Sequence, residues 1–156
     1  MKKLYLLRHA NAEDAIGGDI ERKLSNEGRK EAGALADSIS KKKIVCDIIL
    51  CSSAVRARET YVHIDSALRA KAPAQYMDDL YYADISAMLN ILRNLDDSCE
   101  SVLIISHNPT ISEVASYLTG ERIHLGTGIL KSLEVDIKSW QDIAASCAKL
   151  AWSLPN

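Results

Sequence analysis

Three polar clusters in this chain each close an apolar run, and their residue types are those that hold a phosphoryl group. Arg8 and His9 end the run Leu4–Leu7, Ser52-Ser53-x-x-Arg56 follows the apolar stretch Ile44–Cys51, and Ser106-His107-Asn108 closes Ser101–Ser106. A buried strand has no use for such groups at its tip, but the carboxyl ends of strands in an open α/β sheet are where ligands bind. A lone histidine beside an arginine is ordinarily a solvated pair; recurrence at three strand ends describes one pocket. Two guanidinium forks, two imidazoles and the free N–H groups of helices starting beyond Ser53 and Pro109 suit a dianion. Carboxylates or cysteines at ligand spacing are missing beside these clusters, so neither a metal nor another cofactor is expected.

For the three clusters to meet, their strands must lie side by side and point the same way. Strand-like and helix-like patterns alternate along the chain with no repeat, low-complexity tract or linker, which argues for βαβ units. The expected fold is therefore α/β: one domain over residues 1–156, a three-layer α/β/α sandwich around a mostly parallel central sheet with an antiparallel edge strand. Ser25 stands as an N-cap before a helix over 26–40, and Ser52 or Ser53 is placed to cap a second helix running to about Arg69, with Pro73 just beyond. A short strand is expected at Gln75–Met77. Ile85, Met88, Leu89 and Leu92 fall on one helical face with Asp84 as cap, and Ile111, Val114, Ala115 and Leu118 repeat the spacing before a stop at Gly120. Leu133, Val135 and Ile137 alternate with Glu134 and Asp136, which predicts a half-exposed edge strand. After Trp140 the pattern allows either a short strand or a short helix.

Composition narrows the partners. The chain has 156 residues, 47% hydrophobic and 26% charged, with a net charge of −2. That balance fits an ordinary globular domain and carries no electrostatic footprint for nucleic acid. Lys41-Lys42-Lys43 is the only basic block and falls where a helix should end, a place its dipole favours for cations. The apolar opening is cut by Arg8 well short of a signal sequence or membrane span, so a cytoplasmic location is expected. Cys46, Cys51, Cys99 and Cys147 lack C-x-x-C spacing and read as reduced, mostly buried small hydrophobes.

Four ordered motifs carry a family likeness: Leu-Leu-Arg8-His9-Ala10; Arg22-Lys-Leu24-Ser25-x-x-Gly28; Asp47-Ile-Ile-Leu-Cys-Ser52-Ser53-Ala-x-Arg56-Ala57-x-x-Thr60; and Val-Leu-Ile-Ile-Ser106-His107-Asn108-Pro109. Together they resemble the histidine phosphatase superfamily, the group that includes phosphoglycerate mutases and acid phosphatases, and most of all its small SixA-type phosphohistidine phosphatases. The resemblance implies that His9 is the nucleophile accepting the phosphoryl group and that Arg8, Arg56 and His107 surround it. A neutral imidazole can attack phosphorus in line while arginines stabilise the equatorial oxygens; His107, if protonated, adds a third positive charge. The resemblance also places Arg22 near the phosphate, and Asn11, Asn108 and Thr127 are candidates to line the pocket. His63 and His124 are given no catalytic role, Glu59 is expected on an exposed helix face, and Thr60 is read as a packing or helix-bonding residue.

Two departures from the family pattern matter. Ala10 replaces the glycine of many relatives, a small change because alanine also occurs there among SixA-like sequences. The general acid is missing: mutases and acid phosphatases take a carboxylate from an inserted segment for which this chain has no room. Asp78, Asp79 and Asp84, or Glu13 and Asp14 in the loop after His9, remain as candidates. A phosphoramidate loses its imidazole readily once protonated, and a short chain leaves an open mouth. The expected partner is thus a protein phosphohistidine, with a small phosphorylated metabolite, or a phospho-binding module without turnover, as the alternatives.

Overall fold

The computed structural model describes residues 1–155. Its inner parallel strands are built from runs that are apolar on both faces. In β1 (Lys2–Arg8), Leu4 and Leu6 join one core cluster while Tyr5 and Leu7 join the other. α1 (Asn26–Lys42) begins where expected, with Ser25 Oγ accepting the Gly28 N–H at 2.9 Å, and ends at Lys43 in the left-handed region (φ 58°) with Lys41 and Lys42 in its last turn.

The apolar stretch that follows is two strands rather than one, β2 (Val45–Cys46) and β3 (Ile48–Ser52). They divide at Asp47, whose carboxylate accepts the main-chain N–H groups of Glu100 and Ser101 and pairs with Lys71 at 2.7 Å. α2 (Val55–Ile64) stops well before Arg69, and neither serine bonds into its first turn; Ala54 is the cap residue. Past a turn at Asp65–Ala67 the chain becomes β4 (Arg69–Ala70), because pairing with β2 outweighs helix propensity. The Arg69 N–H donates to the Ile44 carbonyl and the Lys71 N–H to that of Cys46, each at 3.0 Å. β5 (Gln75–Met77) appears as expected and leads into α3 (Asp78–Tyr82), a single helical stretch too short for periodicity to reveal.

α4 (Ile85–Arg93) is capped by Asp84 Oδ1 on the Ala87 N–H at 2.8 Å. β6 (Ser101–Ser106) is buried throughout, and α5 (Thr110–Thr119) ends at Gly120 with φ 74°. β7 (Leu130–Val135) and β8 (Ala148–Leu154) complete the order β5-β3-β6-β1-β7-β8. The first four strands run parallel; β7 is antiparallel to β1 and β8 to β7. The alternating strand is therefore interior, and β8 takes the edge. A small residue makes room for it: buried Ser132 lies in register between Tyr5 and Trp152, whose rings approach to 5.9 Å.

Helices α4 and α5 cover the face carrying Leu4, Leu6, Val102 and Ile104, and α1 and α2 cover the face of Tyr5, Leu7, Leu103 and Ile105. The result is the three-layer α/β/α arrangement. No helix among the described residues is long and apolar enough to cross a membrane. Cys46, Cys51 and Cys99 are buried free thiols and Cys147 is part-buried; burial pushes the Cys46 and Cys51 thiols up to about 12. For the site, the decisive feature is register. Arg8 lies opposite Ser106, and Cys51 opposite Ile105, so the three polar clusters leave the sheet at one edge.

Candidate active site

His9 follows β1 directly, and the bonds on its ring fix its proton. Nδ1 lies 2.8 Å from the Ala10 carbonyl, which can only accept, so Nδ1 carries the hydrogen. Nε2 is then a lone pair, and it accepts from Arg56 Nε at 3.3 Å. Burial, followed by the charges of Arg56, Arg8 and Arg22, lowers the His9 pKa to about 4, although the bond to Ala10 opposes this. The ring is neutral near pH 7, in the tautomer that presents Nε2. Behind it, the Ala10 N–H donates to Thr60 Oγ1 at 3.0 Å, and Thr60 donates to the Arg56 carbonyl at 2.7 Å. Thr60 is thus the helix-bonding residue expected, and it also ties the His9 turn to α2.

Arg56 lies in the first turn of α2, and its guanidinium is buried beside the imidazole. Arg8 Nη1 reaches the Leu125 carbonyl at 3.3 Å; burial lowers the Arg8 pKa, with Glu31 acting the other way. His107, just past β6, places its ring centroid 5.0 Å from that of His9. Its Nε2 meets Ser52 Oγ at 2.7 Å. Burial, then the neighbouring His9 and Arg56, lowers its pKa to about 3, so His107 is neutral in this state and adds no third charge. Arg8 Nε, Ser53 Oγ and His107 Nδ1 are buried without a hydrogen-bond partner. Leaving a buried polar group unpaired costs about 1–3 kcal/mol.

The family profile described as histidine phosphatase superfamily (branch 1) matches residues 4–87. This chain belongs to that superfamily. Among relatives of this chain, the phosphohistidine phosphatase SixA homolog of Haemophilus influenzae is 30% identical over 128 residues, covering 76% of this chain and 78% of its own. The solved structure of the protein histidine phosphatase SixA complexed with tungstate shares the fold at TM-score 0.82 and 21% identity, over 97% and 95% of the two chains. The α-ribazole phosphatase of Shigella flexneri shares the fold more distantly, at TM-score 0.65 and 16% identity over 96% and 94%.

The remaining predicted residues divide by what they touch. Arg22 donates from Nε to the Glu13 carbonyl at 2.8 Å and from Nη1 to Asp19 at 3.2 Å, close enough for its charge to reach His9. Asn11 serves the turn: its Oδ1 accepts from Ser25 Oγ at 2.7 Å and its N–H donates to Glu31 Oε1 at 2.7 Å. Gly28 is required there, since a Cβ would sit 1.9 Å from the Asn11 carbonyl. Thr127 donates to Glu31 Oε2 at 2.9 Å, so Glu31 binds two site loops together. Asn108 donates to the Leu125 carbonyl at 2.9 Å and accepts from Ser112 at 2.6 Å, fixing the carbonyl that Arg8 also uses.

Among the acid candidates, Asp84 is engaged as the α4 cap and Asp78 and Asp79 lie exposed in the first turn of α3. Glu13 and Asp14 are exposed in the loop, with the Glu13 N–H bonded to the Lys23 carbonyl. The carboxylate at the site is Asp19. Its Oδ2 accepts from Tyr81 at 2.6 Å and from Arg56 Nη2 at 3.1 Å, while its carbonyl accepts from Arg56 Nη1 at 2.8 Å. The Tyr81 hydroxyl, with Arg22 and Arg56, lowers the Asp19 pKa to about 2 despite partial burial. The one sequence signal for it was Asp19-x-x-Arg22, an i,i+3 pair after Gly17-Gly18. Glu59, expected on an exposed face, is part-buried and accepts the Leu24 N–H at 3.0 Å. His63 is exposed on α2 and bonds the Glu59 carbonyl at 2.8 Å.

Proposed function

We propose that this chain is a phosphatase working through a phosphohistidine on His9, and that its substrate is a phosphohistidine carried by another protein. The observation that supports it most is the pairing of a neutral His9, with Nε2 unprotonated, against the Arg56 guanidinium at 3.3 Å. In the first step His9 Nε2 forms a bond to phosphorus while the bond to the leaving nitrogen breaks. The attacking ring becomes cationic, and its Nδ1–H stays on the Ala10 carbonyl. Arg8 and Arg56 stabilise the equatorial oxygens. Water then attacks the phosphorus, orthophosphate departs, and His9 returns to its neutral form.

An ionised carboxylate at the site favours this substrate over an alkyl ester. The carboxylate beside Arg56 is ionised, whereas the imidazole of a protonated phosphohistidine departs with a proton it already carries. The second reading, a small-molecule phosphomonoesterase on the same scaffold, draws on the fold shared with the α-ribazole phosphatase. A non-catalytic phospho-binding module is the third. The test supplies radiolabelled phosphohistidine protein and a panel of sugar phosphates. Label trapped on wild type but absent from His9→Ala, with phosphohistidine consumed fastest, is the expected outcome. Efficient sugar-phosphate turnover with phosphohistidine untouched would replace the first reading with the second; no label from any substrate favours the binding module. A cytoplasmic site of action accords with the four free thiols.

A further inference from the structure

Beside the phosphoryl site stands a rim that the chemistry of His9 does not require. Asp19 projects from the turn Asp19–Glu21 with its side chain 52% exposed, although three donors, from Tyr81, Arg56 and Arg22, hold its carboxylate in place. Tyr81 sets its ring edge-on to His107, with centroids 5.6 Å apart at 87°, and lies 5.9 Å from the Arg56 guanidinium carbon. Tyr82 packs edge-on against Tyr81 at 4.8 Å and is itself 77% exposed. A fixed anion and an aromatic surface thus stand beside Arg56 and His107.

We propose that Asp19, Tyr81 and Tyr82 form a leaving-group subsite for a planar nitrogen heterocycle bearing the phosphoryl group, with Asp19 as the specificity-determining residue. This deepens the phosphohistidine reading above and rests on it. The ring of a phosphoimidazolium carries phosphorus on one nitrogen and a proton on the other. That N–H donates to the Asp19 carboxylate while the ring packs on tyrosine. When His9 Nε2 bonds to phosphorus, the P–N bond breaks, its electron pair stays on the departing nitrogen, and the proton on the distal nitrogen leaves a neutral imidazole. No acid is consumed. An alkoxide leaving group has the opposite relation to the rim: its negative charge grows beside a carboxylate that carries no proton to give.

The experiment compares phosphoimidazole with p-nitrophenyl phosphate, whose leaving group needs no proton, in wild type, Asp19→Asn and Tyr82→Ala. In Asp19→Asn, kcat/KM for phosphoimidazole should fall about ten-fold or more beyond any fall for the aryl ester, the loss of one charge-assisted hydrogen bond. The alkaline limb of the phosphoimidazole profile should move to lower pH, with the ester profile unmoved. Tyr82→Ala should raise KM for phosphoimidazole severalfold at unchanged kcat. Asp19→Glu should restore part of the phosphoimidazole rate. Parallel loss on both substrates in Asp19→Asn would mean that Asp19 only steadies Arg56, and an unchanged ratio would equally overturn the subsite. Wild type that cleaves the ester but not phosphoimidazole would instead remove the substrate reading beneath it.

Discussion

His9 and His107 follow neighbouring parallel strands, lie 5.0 Å apart and are both kept neutral by burial, yet their nitrogens are committed in opposite ways. His9 donates from Nδ1 to a main-chain carbonyl, and its Nε2 accepts from Arg56 Nε. His107 has its Nε2 on the Ser52 hydroxyl and leaves Nδ1 buried without a partner. What separates the two rings is which nitrogen each engages and what it faces, since burial, charge and strand position are nearly shared.

The sharpest way to break the comparison is His9→Ala. It should abolish turnover by several orders of magnitude, as loss of a nucleophile does, and remove covalent label with His107 still present; label persisting on the variant would transfer the nucleophile's role. Arg56→Ala comes next, because Arg56 Nε addresses His9 alone of the two rings. A loss of about 10²–10³ in kcat is expected, on the pattern of a removed oxyanion donor, read by single-turnover kinetics with folding checked by circular dichroism. Ser52→Ala should have a smaller effect, roughly ten-fold at most, since it removes one hydrogen bond from His107. Label should still form on His9, and NMR should report a changed His107 tautomer balance.

The mildest test uses pH. Both folded-state pKa values lie below the unfolded histidine value, so the unfolded chain binds protons first. Stability is complete above about pH 6.5 and declines as pH falls toward about 4 for His9 and about 3 for His107. Urea midpoints should drop across that window, and His107→Asn should flatten the drop; a slope that the substitution leaves unchanged would contradict the burial of a neutral His107.

The strand tips and caps were readable because their signals are local. Ser25, Asp84 and Gly120 act on backbone within a few residues of themselves, and the three polar clusters needed only parallel neighbours to converge. Misreadings arose where a distant partner decided the outcome. Arg69 and Ala70 look helical until β2 captures them, and Leu133–Val135 alternates like an edge until β8 arrives from farther along the chain. The same holds in the site. Asp19 gains its role from Arg56 and Tyr81, 37 and 62 residues away, and Glu31 from Asn11 and Thr127, 20 and 96 residues away. Spacing along the chain cannot register such pairs.

The acceptor that orients His9 is a main-chain oxygen, and this has a consequence for mutation. No single amino-acid exchange at residue 10 can delete the Ala10 carbonyl, whereas one base change suffices to erase the Ser52 hydroxyl that holds His107. The His9 tautomer is thereby heritable through almost any drift in side chains that preserves the turn. Its companion histidine rests on a side-chain interaction that a single substitution at residue 52 removes.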